Sequence, residues 1–199
     1  MLSELEQLDI SQRLRNGDRS AWAALYEAYN VAIWRYVARL MGADAAGVAD
    51  VTQDVFIAAA KSAVRFDPER GTLWGWLAGI SHRQVSLHYR QAERTHRWRK
   101  LAEVGAVEIR DWLEQTEAPS QPWERRELSE LIRGVLAELP PDYATLLTGK
   151  YLDDLSLEDL HRQLGGSIEA VKSKLARARR EFRVTFEKLV GTDTTAYLS

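Results

Sequence analysis

Cysteine is absent from this chain of 199 residues, and histidine occurs only four times. Without cysteine the chain can form neither a disulfide nor a thiolate metal site, and it has no cysteine nucleophile. The histidines show no paired spacing of the kind that holds catalytic zinc, so we expect no metal, no cofactor and no enzymatic activity. The composition favours a function carried by surfaces.

Long apolar runs are also lacking. The longest candidate, LWGWLAGI at 73–80, falls far short of the ~20 residues that cross a bilayer. The N-terminal MLSELEQLDI does not show the basic and then apolar pattern of a signal peptide. We therefore expect a folded protein that acts in the cytoplasm without membrane insertion.

Charge is nearly balanced overall but unevenly distributed. The formal net charge is −2, yet residues 81–100 carry six basic side chains and one acidic one. Residues 167–190 carry seven basic and three acidic side chains, whereas 101–130 carry three and eight. Two basic segments flank an acidic one, and local basic patches of this kind are typical of surfaces that contact nucleic-acid phosphates.

Apolar residues recur at spacings of three and four along most of the chain, as at Ile33, Val37 and Leu40. This period predicts helices, and we find no strand pattern, so the fold class is all-α. The segment 103–124 combines glycine, two prolines and six acidic residues, which is typical of a linker. We predict two small helical domains over 1–102 and 125–190, a flexible acidic linker over 103–124 and a C-terminal tail over 191–199.

The C-terminal domain contains a helix-turn-helix pattern. Ser156 can cap a short helix, Gly165 and Gly166 form a tight turn, and Ser167 can cap the next helix. The second helix has an apolar stripe at Ile168, Val171, Leu175, Ala178 and Phe182, so its basic residues lie on the other faces. A solvated charged helix is the plain alternative, but the cap and turn favour a helix that enters the major groove.

The stretch LAELPPDYATLLTGKYLDDLSLEDLHRQLGGSIEAVKSKLARARREF resembles region 4 of bacterial sigma factors of the extracytoplasmic-function (ECF) group. The N-terminal half carries ALYEAYNVAIWRYVARLMG and then ADVTQDVFIAAAKSAVRFDPERGTLWGWLAGISHRQVSLHYR, which resemble region 2 of the same group. The resemblance covers roughly 21–190. It implies a promoter-specificity subunit that binds core RNA polymerase and promoter DNA. Many relatives also have an anti-sigma partner that clamps the two domains together and hides their polymerase-binding surfaces.

The resemblance places the polymerase-binding residues on the helix that carries DVTQDVF. Spacings of three and four put two carboxylates and an amide on one face of this helix, with Val51 and Val55 facing inward. First-turn acidic residues also favour a helix N-terminus by themselves, which is the competing explanation for Asp50. The predicted core-polymerase-binding residues are Asp50, Gln53, Asp54 and Phe56.

The turn at 66–72 and the helix after it correspond to the part of region 2 that reads and opens the minus-10 element. An extruded base must be held by a pocket, stacking surfaces and phosphate contacts. Trp76 and Leu77 are expected in the core, and Ala78-Gly79 departs from the larger polar side chains frequent in the family, which leaves the base contacts open. The predicted minus-10 residues are Arg70, Thr72, Trp74, His82, Arg83, Ser86 and Arg90.

Region 4 implies that the helix starting near Ser167 reads the minus-35 element, since its first turns can reach base edges. Gly149 lies inside a predicted helix of this domain, where glycine costs ~1 kcal/mol relative to alanine, and only close packing accounts for it. Arg183 is expected to contact phosphates or polymerase. The predicted minus-35 residues are Ser167, Glu169, Ala170, Lys172, Ser173, Arg177, Arg179 and Arg180.

Two other functions are weighed against a sigma factor. A helix-turn-helix regulator that acts without core polymerase would explain 130–190 but would leave the DVTQDVF helix and the FDPERG turn without a role. An all-α scaffold or hydrolase would need convergent carboxylates or a metal constellation, and we find neither in the sequence. Promoter binding without core polymerase would favour the regulator.

Overall fold

The computed structural model describes residues 2–42, 45–93 and 122–191, and every regular element within these ranges is helical. The predicted all-α fold is confirmed. The elements in chain order are α1 (Glu4–Arg15), α2 (Arg19–Met41), α3 (Ala45–Ser62), a 3-10 turn (Ala63–Arg65), α4 (Leu73–Glu93), α5 (Pro122–Glu138), α6 (Pro141–Tyr151), α7 (Leu157–Leu164) and α8 (Ile168–Gly191).

The helix ends follow local sequence signals. The Asp18 carboxylate accepts the N–H of Ser20 at the start of α2, and Gly42 ends that helix with φ of 84°. Helix α1 had no counterpart among the predicted helices, although Ser3 and Glu6 form a capping box at its start. That Ser-x-x-Glu signal is visible in the sequence.

The first half of the chain is built around α2, α3 and α4. Leu25, Val37 and Val55 are fully buried where these helices meet, and Leu77 joins them from α4. The inward positions of Val51 and Val55 on α3 are confirmed. Tyr26, which shares the apolar period of α2, is 53% exposed instead.

The second half packs α5, α6, α7 and α8 together. A Cβ atom on Gly149 would lie 2.7 Å from Cδ2 of Leu160, which is buried in α7. Glycine therefore lets α7 approach α6 closely, and the close packing expected for this position is confirmed. Phe182 and Phe186 stack at 6.3 Å in a smaller cluster between α8 and α5.

The two halves share one continuous apolar core. The cluster runs from Val37 and Leu77 in the first half to Leu136, Ala144 and Leu146 in the second. Of the predicted linker 103–124, residues 103–121 lie outside the described ranges, and the last three residues form the first turn of α5. The division into two domains stays a prediction, but the structure packs the halves directly against each other.

Candidate nucleic-acid and polymerase interfaces

Helix α3 presents a polar face to solvent. Asp50, Gln53 and Asp54 are all exposed, while Val51 and Val55 hold the opposite side of the helix in the core. Neither carboxylate forms an ion pair or a hydrogen bond with a described residue. The structure thus brings three of the four predicted polymerase-binding residues together on one accessible surface.

Phe56 lies beside this polar face but is only half exposed. Its ring packs against the ring of Tyr26 with 4.9 Å between centroids and a tilt of 59°. Tyr26 and Ile57 remain 53% and 44% exposed. The face of α3 therefore combines free carboxylates with an apolar edge, and such a surface suits a basic, amphipathic helix of another protein.

The start of α4 is fixed by Thr72. Its Oγ1 accepts the N–H of Gly75 at 3.0 Å and donates to the carbonyl of Gln163 in the second half at 2.5 Å. Trp74 is half buried, and its ring meets the ring of Tyr36 edge-on at 5.9 Å. Thr72 is therefore engaged at the boundary between the halves, whereas the ring contact of Trp74 lies within the first half.

A cleft of about 420 Å³ opens beside this turn. The first half lines it with Arg70, Thr72 and Trp76, and the second half with Asp142 and Lys174. Lys174 Nζ pairs with Asp142 at 2.7 Å across α8 and α6. Trp76, expected in the core, is half buried at the cleft wall against Phe66, while Leu77 lies in the core as expected.

Farther along α4, the predicted minus-10 residues separate into two groups. Arg83 and Arg90 are exposed, and Arg70 is exposed in the preceding turn. His82 and Ser86 are instead only 3% and 7% exposed. His82 Nε2 lies 2.8 Å from the carbonyl oxygen of Leu136, and Ser86 Oγ lies 2.6 Å from that of Ala137.

The state of the His82 ring follows from these contacts. A carbonyl oxygen only accepts, so Nε2 carries the proton and donates it to Leu136. Nδ1 is buried and has no hydrogen-bond partner among the described residues. Burial lowers the pKa of His82 from 6.5, against opposing effects of the Leu136 carbonyl and Glu138. The neutral ring is therefore the form that fits this site.

The helix-turn-helix is built as predicted. Ser156 and Asp159 form a capping box at the start of α7, and the bonds from Ser156 lower the pKa of Asp159. Gly165 and Gly166 adopt φ of 78° and 86°, a backbone conformation that other residues rarely take. Ser167 Oγ accepts the N–H of Ala170 at the start of α8, which orients the first turn of that helix.

Helix α8 buries one stripe and exposes its other faces. Val171, Leu175 and Ala178 are at most 5% exposed, which confirms the predicted stripe. Lys174 was placed on the displayed basic face but is half buried in its pair with Asp142. All eight predicted minus-35 residues are exposed, namely Ser167, Glu169, Ala170, Lys172, Ser173, Arg177, Arg179 and Arg180.

Arg179 also contacts another helix of the second half. Its Nη1 lies 3.4 Å from Tyr151 Oη at the end of α6. The first basic segment, 81–100, is only partly described, and residues 94–100 lie outside the described ranges. Within those ranges, the exposed arginines of α4 and the exposed basic face of α8 are the surfaces suited to phosphates.

Two further contacts between the halves were, like those of Thr72, His82 and Ser86, not anticipated from the sequence. Tyr36 Oη lies 3.0 Å from Thr145 Oγ1, and because the Thr145 hydroxyl donates to the Pro141 carbonyl, Tyr36 is the donor of this bond. Arg39 pairs with Asp153. The partners lie more than a hundred positions apart in the chain, so no local spacing signals them.

No cluster of three or more His, Asp or Glu side chains able to hold a metal ion occurs in the described ranges. Within the same ranges, no helix combines the length and the apolar character needed to span a membrane.

Comparison with known proteins finds two family models that match separate segments of the chain. The model of Sigma-70 region 2 matches residues 25–95, and the model of Sigma-70 region 4 matches residues 129–182. The RNA polymerase sigma-H factor of Pseudomonas aeruginosa is 25% identical over 181 residues, which cover 90% of this chain and 93% of that protein. The ECF RNA polymerase sigma factor SigW of Bacillus subtilis is 27% identical over 176 residues, covering 86% and 92%.

Among solved structures, the chain is similar to CnrH in complex with the cytosolic domain of CnrY. This likeness is distant, with 22% identity and a TM-score of 0.47 over 92% of this chain and 98% of the other. The two region models match in the order expected of one family, and relatives such as SigW are named for one group of it. The chain therefore belongs to the ECF group of the sigma-70 family.

Proposed function

We propose that this chain is an RNA polymerase sigma factor that directs the core enzyme to specific promoters in the cytoplasm and starts transcription there. The observation that carries the proposal is the presence of regions 2 and 4, in that order, within one chain. A helix-turn-helix regulator would account for residues 129–182 but would leave 25–95 without a function. The chemistry proposed is recognition and strand separation, with no catalytic residue.

The exposed face of α3 is proposed to bind core polymerase. Asp50, Gln53 and Asp54 are free of partners among the described residues, so they can pair with a basic surface without first breaking internal bonds. Phe56 supports the apolar edge of this face through its contact with Tyr26. Charge complementarity of this kind sets partner choice and association rate.

Helix α8 is proposed to read the minus-35 element. Its N-terminal residues are exposed and capped by Ser167, which is the geometry that places a recognition helix in the major groove. Lys172 and Arg177 lie in the first three turns and are proposed to contact base edges. Arg179 and Arg180 lie farther along and are proposed to contact phosphates.

Helix α4 and the turn before it are proposed to act on the minus-10 element. Separating the strands costs a few kcal/mol per extruded base, so the surface must supply stacking and phosphate contacts. Arg70, Arg83 and Arg90 are accessible for phosphates. Thr72, His82 and Ser86 are held against the second half and would become available only after the halves separate. Trp74 packs against Tyr36 within the first half. An anti-sigma protein as a further partner stays a prediction from the family resemblance.

The test is run-off transcription with purified core polymerase across a promoter library. The proposal expects specific transcripts that require both the chain and the core enzyme, with core polymerase alone as the control. A parallel binding assay measures promoter DNA with and without core polymerase. Tight, specific binding by the chain alone, without transcripts in the presence of core enzyme, would replace this proposal with the regulator.

A further inference from the structure

Helix α5 ends directly before two prolines, and this leaves two of its carbonyls without the usual donors. In a continuing helix the carbonyls of Leu136 and Ala137 would accept the N–H groups of residues 140 and 141. Pro140 and Pro141 have no N–H group. Leu136 and Ala137 are both 3% exposed, so solvent has little access to their backbone. These carbonyls need donors from elsewhere in the fold.

The donors come from the other half of the chain. His82 donates to the Leu136 carbonyl at 2.8 Å. Ser86 Oγ lies 2.6 Å from the Ala137 carbonyl and 2.9 Å from the His82 carbonyl of its own helix, and its single proton is assigned to the nearer oxygen, that of Ala137. The two side chains are four residues apart, so they lie one turn apart on the same face of α4. Consecutive carbonyls of α5 are thus matched by consecutive turns of α4, and both bonds are buried.

Three further contacts join the halves around this pair of bonds. Tyr36 donates to Thr145, and Thr72 donates to the Gln163 carbonyl. Arg39 on α2 pairs with Asp153 after α6. The residues that bond across this boundary include three of the seven predicted minus-10 residues, namely Thr72, His82 and Ser86, whereas the polar face of α3 lies on open surface.

We propose that the bonds from His82 and Ser86 to the end of α5 act as a latch that holds the chain closed, and that the latch competes with promoter DNA for the same side chains. The latch blocks the part of the minus-10 surface that includes His82 and Ser86. The α3 face stays accessible in the closed chain, so polymerase can still dock there. The competition with DNA rests on the proposed function, and the existence of the latch does not.

A distance measurement on the full chain tests the latch. Because the chain has no cysteine, Lys61→Cys on α3 and Glu187→Cys on α8 place two spin labels at exposed positions without competing thiols. The parent is expected to give one narrow distance. The measurement is repeated at several urea concentrations, all below the unfolding transition seen by circular dichroism. Urea at these concentrations increases the fraction of molecules whose two halves have separated, so that even a small fraction can be measured. Ser86→Ala and His82→Phe are each expected to raise the ratio of separated to closed molecules about fivefold.

Ser81→Ala is the matched control, because Ser81 is equally buried on α4 but donates only to the Leu77 carbonyl of its own helix. It should leave the ratio unchanged. If Ser86→Ala and His82→Phe match this control, the latch is overturned. Tyr36→Phe removes a bond of the same boundary at nearly constant volume and provides a second test should either latch variant fail to fold. It is expected to raise the ratio as well, and no change would count against the closed state.

A single-stranded DNA oligonucleotide tests the competition. Tyr36 is outside the predicted DNA-binding set, so Tyr36→Phe should bind the oligonucleotide several-fold more tightly than the parent, because more molecules are open. If the parent and Tyr36→Phe bind the oligonucleotide with equal affinity, the latch does not compete with DNA. Transcription with core polymerase reports on the proposed function separately: a latch that opens as expected in a chain without promoter activity would overturn the function and leave the latch standing.

Discussion

Replacing Gly149 with alanine sets two effects of known sign against each other. Glycine inside α6 costs ~1 kcal/mol relative to alanine, so helix propensity alone favours the substitution. The added Cβ would lie 2.7 Å from Leu160 Cδ2 and 3.3 Å from Leu155 Cδ1, both closer than ordinary van der Waals contact. Leu160 is 1% exposed, so its side chain would have to move within the packed core.

The steric effect is expected to win. Overpacking of a filled core costs ~1–3 kcal/mol, which exceeds the propensity gain, and we expect a net loss of about 1 kcal/mol. For a chain of this size that corresponds to a fall in Tm of roughly 2–4 °C. Gly79 in α4 provides the control, because a Cβ there meets no atom within 4 Å. Gly79→Ala should therefore raise Tm by a similar amount.

Thermal and urea unfolding of the two variants and the parent check this reasoning. Gly149→Ala should also weaken promoter binding by the assembled polymerase, since Leu160 belongs to the first helix of the helix-turn-helix and its displacement tilts α7 against α8. If Gly149→Ala is as stable as Gly79→Ala, α7 can move away from the added methyl group without lowering the free energy of unfolding. The explanation of this glycine by close approach would then be wrong.

Three other predictions follow from the proposed surfaces. Asp54→Arg should abolish core-polymerase binding with an unchanged circular dichroism spectrum, because charge reversal at an interface costs on the order of several kcal/mol; unchanged affinity in a titration would refute this. In a promoter library read at two salt concentrations, Lys172→Ala should change the preferred upstream sequences, while Arg180→Ala should weaken all sequences about equally and flatten the salt dependence. If neither variant changes the preferred upstream sequences or the salt dependence of binding, α8 does not read the minus-35 element. The lowered pKa of His82 means that its contribution to closure is complete above pH 6.5 and is lost as the pH falls below that value, despite the opposing effect of Glu138. The separated fraction should therefore rise in acid, and His82→Phe should remove that dependence.

Local features of this fold could be predicted from the sequence. The caps at Ser156 and Ser167 and the stripe through Val171 and Leu175 depend only on neighbours within a turn or two, so helix periodicity and capping chemistry reveal them. The face of α3 was predictable for the same reason. These features locate the predicted minus-35 and polymerase-binding residues on accessible surface.

Contacts between the halves could not be predicted in this way. Periodicity tells which side of a helix is buried but not which element covers it. On α4 the covered side includes His82 and Ser86, whose polar character suggests a solvent-facing or ligand-facing position rather than burial. Lys174 was likewise expected on the exposed basic face of α8. Its pairing could not be predicted, because its partner Asp142 lies 32 positions away in another helix.

The proline pair at the end of α5 has a consequence for how related sequences can vary. A chain with other residues at 140 and 141 could continue α5 by one turn and satisfy the carbonyls of residues 136 and 137 with its own N–H groups. Such a chain would have no need for hydrogen-bond donors at positions 82 and 86. Across an alignment, loss of the prolines should therefore coincide with apolar or small residues at those two positions, so the two ends of this contact should vary together.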